Sequence, residues 1–266
     1  MRRWGRRLGA TMSSSTATSA SSATSGPGLI GDLLKHQLGR APLSTALQYG
    51  AHELSWRKLD SRIRRAATGL RAAMVRPGDR IGVLSPNHPA CIEALFAAAL
   101  TGTTAVLVNW WLPEEEIAEI LRAGEVKVLF VAAELGEMLE RIRPQLDDLD
   151  SVVVIGRPAG DPFATDDYEL WLELHETGEG MYEAARFHPS VDDPVVQVQE
   201  HNGDNLALSH RTLQLAAAAE PPAAGDSKVV SEPLFRVDGI SAALHGLREG
   251  LRTILEHSEP VGGGAA

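Results

Sequence analysis

Apolar and polar positions follow two different periods along the chain. Between residues 56 and 74 the apolar positions recur three or four residues apart, which is typical of one face of an α-helix. The turn sequence Arg76-Pro77-Gly78-Asp79 ends this stretch. The mostly apolar run Arg80–Leu84 that follows has the length of a strand. The pattern therefore predicts a helix, a tight turn and a short buried strand in succession.

The same alternation continues to about residue 251. Strands are predicted at 105–108, 126–131, Ser151–Ile155 and 195–198, and a β-hairpin is predicted from 43–49 and His52–Ser55. Helices are predicted at 89–100, from Pro113 onward, and at 134–142, 168–175, 209–219 and 239–251. Polar loops are predicted at 158–167 and 177–194. Because strands alternate with helices, the expected fold class is α/β, with a mostly parallel sheet and helices on both faces.

The two ends of the chain differ in composition from the rest. The first 31 residues contain four arginines, many Ser, Thr and Ala, and no acidic residue. Residues 1–29 are therefore predicted to form a disordered tail, with a transit peptide as the alternative and Met12 as a candidate start. Residues 30–260 are predicted to form the folded domain and residues 261–266 a flexible tail. The expected compartment is the cytoplasm, or the mitochondrion if the first residues are a targeting signal.

Composition and charge exclude several classes of function. Of the 266 residues 44% are hydrophobic, and the formal net charge of −10 would repel nucleic acid. The most apolar window, 94–108, is interrupted by threonines and a glycine and is too short to span a bilayer. The single cysteine, Cys91, excludes an internal disulfide. It is predicted to be a buried core residue rather than a thiol paired with His88.

Several stretches, in order along the chain, resemble the N-terminal domain of the adenylate-forming (AMP-binding) superfamily, in its acyl-CoA synthetase branch. They are LSWRKLD at 54–60, VRPGDR at 75–80, LSPNHP at 84–89, VNW at 108–110 with LPEE at 112–115, LSHR at 208–211, and PLF at 233–235 with GI at 239–240. The resemblance implies an enzyme that activates a carboxylic acid with ATP to an acyl-adenylate and then transfers the acyl group to CoA. That chemistry needs backbone N–H donors, a cation and Mg²⁺ around the phosphates.

The phosphate-binding loop of this family is replaced in the present sequence. Relatives read approximately Thr-Ser-Gly-Thr-Thr-Gly-x-Pro-Lys-Gly just before the LSHR stretch, whereas residues 199–207 here read QEHNGDNLA. Only Gly203 is left of several glycines, and Glu200 and Asp204 would place negative charge against phosphate. The resemblance leaves Gly203, Ser209 and His210 as candidate nucleotide-binding residues. Ser209 and His210 are interpreted first as helix-capping and surface residues.

A second departure affects the segment that lines the acyl pocket in relatives. The resemblance gives Phe235, Arg236, Asp238 and Gly239 as the acyl-pocket candidates. Relatives usually carry His in place of Arg236 and Gly in place of Asp238. The two charged residues are expected to narrow or polarise a site for an apolar acyl group, and they could pair with each other.

These departures predict a truncated homologue that is inactive alone, so whether the chain is an enzyme stays open. The resemblance stops near Pro260, before the family's adenine-binding segment, ribose-binding Asp, hinge and C-terminal lid. No catalytic residue is assigned, and the histidines show no paired spacing for a metal. ATP, Mg²⁺ and CoA are the cofactors of intact relatives, and none is expected for this chain. The alternatives are an interaction module, or one half of a split acid–thiol ligase, that self-associates or binds a complementing chain through exposed sheet surface.

Overall fold

The computed structural model describes residues 28–156, 167–175, 188–200, 203–223 and 225–257. The helices are α1 Gly31–Arg40, α2 Trp56–Ala72, α3 Pro89–Thr101, α4 Glu114–Ala123, α5 Gly136–Ile142, α6 Asp167–Leu174, α7 His210–Ala219 and α8 Val237–Glu249. The strands are β1 Thr45–Tyr49, β2 His52–Ser55, β3 Arg80–Leu84, β4 Thr104–Leu107, β5 Val126–Ala132, β6 Ser151–Ile155, β7 Pro194–Gln199, β8 Asn205–Ser209, β9 Ser227–Val230 and β10 Arg252–Leu255. Short 3-10 helices at Ala133–Leu135 and Arg143–Gln145 flank α5.

The strands form two sheets. The larger has the order β6-β5-β3-β4-β7-β8 and is parallel except for the β7–β8 pair. The smaller has the order β2-β1-β10-β9 and is parallel except for the predicted hairpin β1–β2. The predicted α/β class with a mostly parallel sheet is confirmed, and the division into two sheets is a feature that the sequence did not predict.

Helices cover both faces of the larger sheet, as predicted. On one face α4 and α5 enclose a core that contains Ile117, Leu121 and Leu139. On the other face α3 packs against β3, β4 and β7 and also touches β1 of the smaller sheet. Because α3 lies between the two sheets, twelve of its thirteen residues are buried, and its apolar residues occupy every side of the helix.

Local sequence signals account for the ends of the main helices. Ser55 Oγ accepts a hydrogen bond from Lys58 N–H and caps α2, while Gly102 at the end of α3 adopts the left-handed conformation. Pro113 and three glutamates begin α4, as the helix dipole favours. In the part of the chain that the structure describes, no helix is long and apolar enough to cross a membrane.

Three strands and one helix were not predicted individually: α1, β8, β9 and β10. Each of the three strands pairs with a strand that is distant in sequence or is joined to it by an irregular turn. The local pattern of apolar residues is therefore a weak signal for these strands. Residues 1–27 of the predicted tail 1–29, the predicted tail 261–266, residues 158–166 of the predicted loop 158–167 and most of the predicted loop 177–194 lie outside the described residues. Those assignments stay predictions.

Candidate functional site

The segment that replaces the phosphate-binding loop is a tight antiparallel hairpin. Strands β7 and β8 pair from Pro194 and Ser209 at the open end to Gln199 and Asn205 at the turn. Gly203 lies in this turn with a φ of 87°, a conformation that glycine adopts without strain. The polar stretch that was predicted to be a defective phosphate-binding loop therefore leads into β8, an edge strand of the larger sheet.

The described backbone amides of the turn donate to the hairpin itself. Glu200 N–H donates to Asp204 O at 2.9 Å, and Gly203 N–H donates to Glu200 O at 3.0 Å. Gln199 Nε2 donates to Gly203 O at 3.3 Å. A phosphate site needs amides that point together into open space. Among the described residues of this turn, neither Glu200 nor Gly203 contributes such an amide, and the defective phosphate loop stays a prediction.

The cations near the hairpin are also engaged elsewhere. Arg211, in the first turn of α7, donates through Nε to Asp192 Oδ1 at 2.7 Å, and this pairing raises the Arg211 pKa and lowers the Asp192 pKa. Of the four lysines, Lys228 pairs with Glu220, Lys35 with Asp32 and Lys127 with Asp148. The fourth, Lys58, belongs to α2. None of the four lies in the hairpin, so the residues present do not fit the phosphates of ATP.

Ser209 caps α7 as predicted, but His210 is not a surface residue. Ser209 Oγ accepts from Thr212 N–H at 3.2 Å. His210 is only 2% exposed, and its Nδ1 accepts from Ile30 N–H at 3.3 Å. Burial lowers the His210 pKa, which keeps the ring neutral and able to accept. The surface interpretation of His210 is wrong because the start of α1, invisible to local sequence patterns, packs over it.

A buried asparagine holds in place residues 232–239, called the acyl-pocket segment here after the candidates Phe235 and Gly239 that it contains. Asn87 follows β3 and is 1% exposed. Its Nδ2 donates to Glu232 O at 2.9 Å, and its Oδ1 accepts from Leu234 N–H at 2.8 Å. Sequence reasoning quoted Asn87 within the LSPNHP stretch but gave it no role, because its partners lie about 145 positions further along the chain.

The acyl-pocket candidates separate into two buried and two exposed residues. Phe235 is 7% exposed and contacts the Trp111 ring edge to face, with 5.0 Å between the ring centroids. Gly239 is buried against the Pro233 carbonyl, so a Cβ there would collide with backbone. Arg236 and Asp238 are exposed, and the salt bridges of the described residues do not include one between them. The suggested local ion pair is therefore absent in this conformation.

Neither a metal centre nor a reactive thiol is evident in the described residues. They contain no group of three His, Cys, Asp or Glu side chains that could hold a metal ion. Cys91 is buried, its Sγ lies 3.5 Å from Pro86 O, and burial raises its pKa to about 11. The prediction of a core cysteine is confirmed.

Comparison with known proteins identifies a family and several relatives. A model of the family described as AMP-binding enzyme matches residues 34–208. A feruloyl-CoA synthase from an Amycolatopsis species is 37% identical over 131 residues, which cover 48% of this chain and 24% of that protein. The fatty acid–[acyl-carrier-protein] ligase ScoC of Streptomyces coeruleorubidus is 25% identical over 226 residues, covering 80% of this chain and 40% of that protein.

Solved structures share the fold at low identity. The anthranilate CoA ligase AuaEII in complex with anthranoyl-AMP superposes with a TM-score of 0.75 at 23% identity, over 87% of this chain and 45% of that one. The N-terminal domain of FACL13 from Mycobacterium tuberculosis gives 0.74 at 19% identity, over 88% of this chain and 58% of that one.

The fold is thus that of the N-terminal domain of adenylate-forming enzymes. The chain belongs to the AMP-binding enzyme family, and its matches among the curated relatives named above span less than half of each relative's length.

Proposed function

We propose that this chain provides an acyl-CoA synthetase scaffold without ATP-dependent ligase activity of its own. The observation that carries the proposal is the β7–β8 hairpin, whose turn amides at Glu200 and Gly203 donate to hairpin carbonyls. The exposed Glu200 carboxylate adds repulsion toward a phosphate. A scaffold that cannot hold the phosphates loses the electrostatic stabilisation on which phosphate-displacing chemistry depends. ATP, Mg²⁺ and CoA are accordingly not expected to be cofactors of this chain.

The proposal is tested with ATP-dependent formation of acyl hydroxamates over a panel of aromatic and aliphatic acids. We expect no product above the level without ATP, and no heat of binding when MgATP is titrated into the protein. Robust turnover with any acid would contradict the proposal. The panel spans both acid types because the matched relatives are named for acids of both kinds, feruloyl and fatty.

A loop graft separates loss of the site from loss of the fold. Residues 199–207 are replaced by the glycine- and lysine-containing sequence of intact relatives, and binding of a fluorescent ATP analogue is measured. We expect the graft to gain binding, since it supplies amides and a cation that the hairpin lacks. If the unaltered chain binds the analogue as tightly as the graft does, the hairpin does not prevent ATP binding, and the proposal loses its structural basis.

A second candidate function is that of an interaction module. Strand β9 lies at the edge of the smaller sheet and has one hydrogen-bonded neighbour among the described strands, β10. Val229 on this edge strand is 46% exposed. Open strand edges with apolar side chains favour association with another chain. Sedimentation velocity over a range of concentrations tests this candidate, and a single monomeric species at all concentrations would count against it.

A further inference from the structure

A polar cavity lies between the β1–β2 hairpin and the start of α3, and none of its lining residues belongs to the β7–β8 hairpin or to residues 232–239. Its volume is about 290 Å³. The hairpin, α2, the first residues of α3 and α6 each contribute to its wall. The apolar part of the wall comes from the Tyr49 ring, Leu54 and Pro89. A space of this size holds a small organic molecule rather than a nucleotide.

Both carboxylates that line the cavity already have partners. Glu169 accepts two hydrogen bonds of 2.6 Å from the Arg62 guanidinium, and Arg62 holds the Glu169 pKa below its usual value. Glu53 accepts from Thr45 Oγ1 at 3.1 Å and lies 3.9 Å from Arg252 Nη1. Arg62 is itself divided between Glu169 and Glu93. The negative charge of the wall is therefore compensated within the protein.

The remaining polar groups of the wall are those of Lys58, His52, His88 and Tyr49. Lys58 lines the cavity, and its ammonium group makes no salt bridge or hydrogen bond with a described residue. His88 Nδ1 accepts from Ala90 N–H at 3.1 Å, so the neutral ring carries its proton on Nε2. Burial lowers the His88 pKa to about 4, which fixes that neutral form at neutral pH. Tyr49 adds a phenol that lacks a hydrogen-bond partner among the described residues.

We propose that this cavity binds a small carboxylate with an apolar body, whose anionic group pairs with Lys58. Lys58 is the cation of the wall that makes no salt bridge with a described residue, although its charge helps to lower the Glu169 pKa, and the donors that accompany it suit carboxylate oxygens. The Tyr49 ring, Leu54 and Pro89 provide apolar surface for the rest of the molecule. The site goes beyond the proposed function, because none of its lining residues belongs to the phosphate or acyl segments.

Titration with benzoate, followed by calorimetry and by the ¹⁵N NMR shifts of the cavity residues, tests the proposal. We expect saturable binding at millimolar concentration and weaker binding of inorganic phosphate, which has no apolar body. The variant Lys58→Gln should weaken benzoate binding about tenfold through the loss of one charge-assisted hydrogen bond. The variant Lys58→Arg should keep binding within about threefold of the unaltered protein, since it retains the charge.

The neighbouring variant Arg57→Gln is the matched control. Arg57 is exposed on the same helix and does not line the cavity, so Arg57→Gln removes the same charge without touching the site. It should leave benzoate affinity unchanged. If Lys58→Gln and Arg57→Gln weaken benzoate binding equally, the effect comes from the net charge of the protein and not from a contact with Lys58. That result would overturn the proposal. Absence of saturable benzoate binding, or phosphate binding as tight as benzoate binding, would overturn it as well.

Discussion

Two histidines with little exposure accept hydrogen bonds from backbone amides, and each needs a neutral ring to do so. His88 accepts from Ala90 N–H at the start of α3, and His210 accepts from Ile30 N–H before α1. Burial is the main cause that lowers both pKa values, that of His88 to about 4. Because the folded state favours the neutral rings, they contribute stability above an unfolded pKa of about 6.5, and that stability is lost as the pH falls toward the folded pKa.

We expect His88→Asn to reduce the pH dependence of the unfolding free energy. Asn is a preferred N-cap residue whose Oδ1 can accept from Ala90 N–H without titrating. The His88 contribution to the fall between about pH 7 and about pH 5 is on the order of 2 kcal/mol, and the variant should lack it. Urea unfolding at the two pH values measures the difference, in a range where the carboxylates stay ionised.

The control for this experiment is His36→Asn, at an exposed histidine of α1. It should keep the full pH dependence of the unaltered protein. If the unaltered protein has the same unfolding free energy at both pH values, the histidine interpretation is wrong.

Asn87 is the residue whose loss should most directly release the acyl-pocket segment. The variant Asn87→Ala leaves Glu232 O and Leu234 N–H without their partner, and unpaired buried groups cost about 1–3 kcal/mol. We expect a loss of unfolding free energy in that range, together with a shift in the tryptophan fluorescence of the protein, to which Trp111 in contact with Phe235 contributes. The exposed Asn205 of β8, changed to Ala, should leave that fluorescence unchanged. An unaltered emission spectrum for Asn87→Ala would show that the segment is held by other contacts.

At the scale of elements, a buried ionic cluster joins α2, α3 and α6. Arg62 on α2 donates to Glu93 on α3 at 2.6 Å, and Tyr168 Oη on α6 donates to the same carboxylate at 2.6 Å. Glu93 is fully buried, and the Arg62 side chain is 12% exposed. Since a buried charge is stable only when it is paired, this cluster fixes how α6 docks onto the other two helices.

We expect Glu93→Gln to be among the most destabilising single changes in the domain. It removes the fully buried one of the two carboxylates that pair with Arg62, and breaking a buried pair costs about 3–5 kcal/mol, although Arg62 keeps its pair with Glu169. The same change in an exposed pair, Glu114→Gln opposite Arg141, should have no measurable effect, since surface pairs contribute little. Thermal and urea unfolding of both variants make the comparison. Equal stability of the two variants would mean that the cluster does not hold the helices together.

At the scale of the whole molecule, the smaller sheet presents apolar surface at its edge. Val229 on β9 lies beside Ile254 on β10 and is 46% exposed. Because β9 is the last strand of the smaller sheet, its other side has no neighbour among the described strands. Proteins usually protect such edges with charge, proline or a covering segment. This edge is therefore the place where self-association or a complementing chain is expected.

We predict that the unaltered chain associates with rising concentration and that Val229→Lys shifts it toward monomer. A lysine on an edge strand opposes pairing with another strand. The control is Leu215→Lys, which changes an exposed apolar residue on α7 (56% exposed, against 46% for Val229) rather than one on a strand edge. Sedimentation velocity of the three proteins distinguishes the cases. Equal loss of association in both variants would indicate general hydrophobic adhesion instead of edge pairing.

The strong periodicity of apolar residues was sufficient to predict the central strands and helices. The strands Arg80–Leu84 and Ser151–Ile155 have the predicted bounds, and the helix predicted at 89–100 ends one residue later in the structure. By contrast, β8 was not predicted, because residues 199–207 stand where relatives carry the phosphate-binding loop and were interpreted as a defective form of it. β8 becomes a strand through hydrogen bonds to β7 across the hairpin turn. Local composition could not supply this information, since the stabilising partner is another strand.

The sequence by itself determined the class of fold and the family, and it predicted the loss of the phosphate-binding loop, because these inferences depend on periodicity and on contiguous residues. Only the tertiary structure decided what replaced that loop, since a hairpin is defined by which amides meet which carbonyls. It also decided that His210 is buried under the start of α1 and that Asn87 holds the segment at Leu234. Those contacts join residues more than a hundred positions apart, and no local pattern records them.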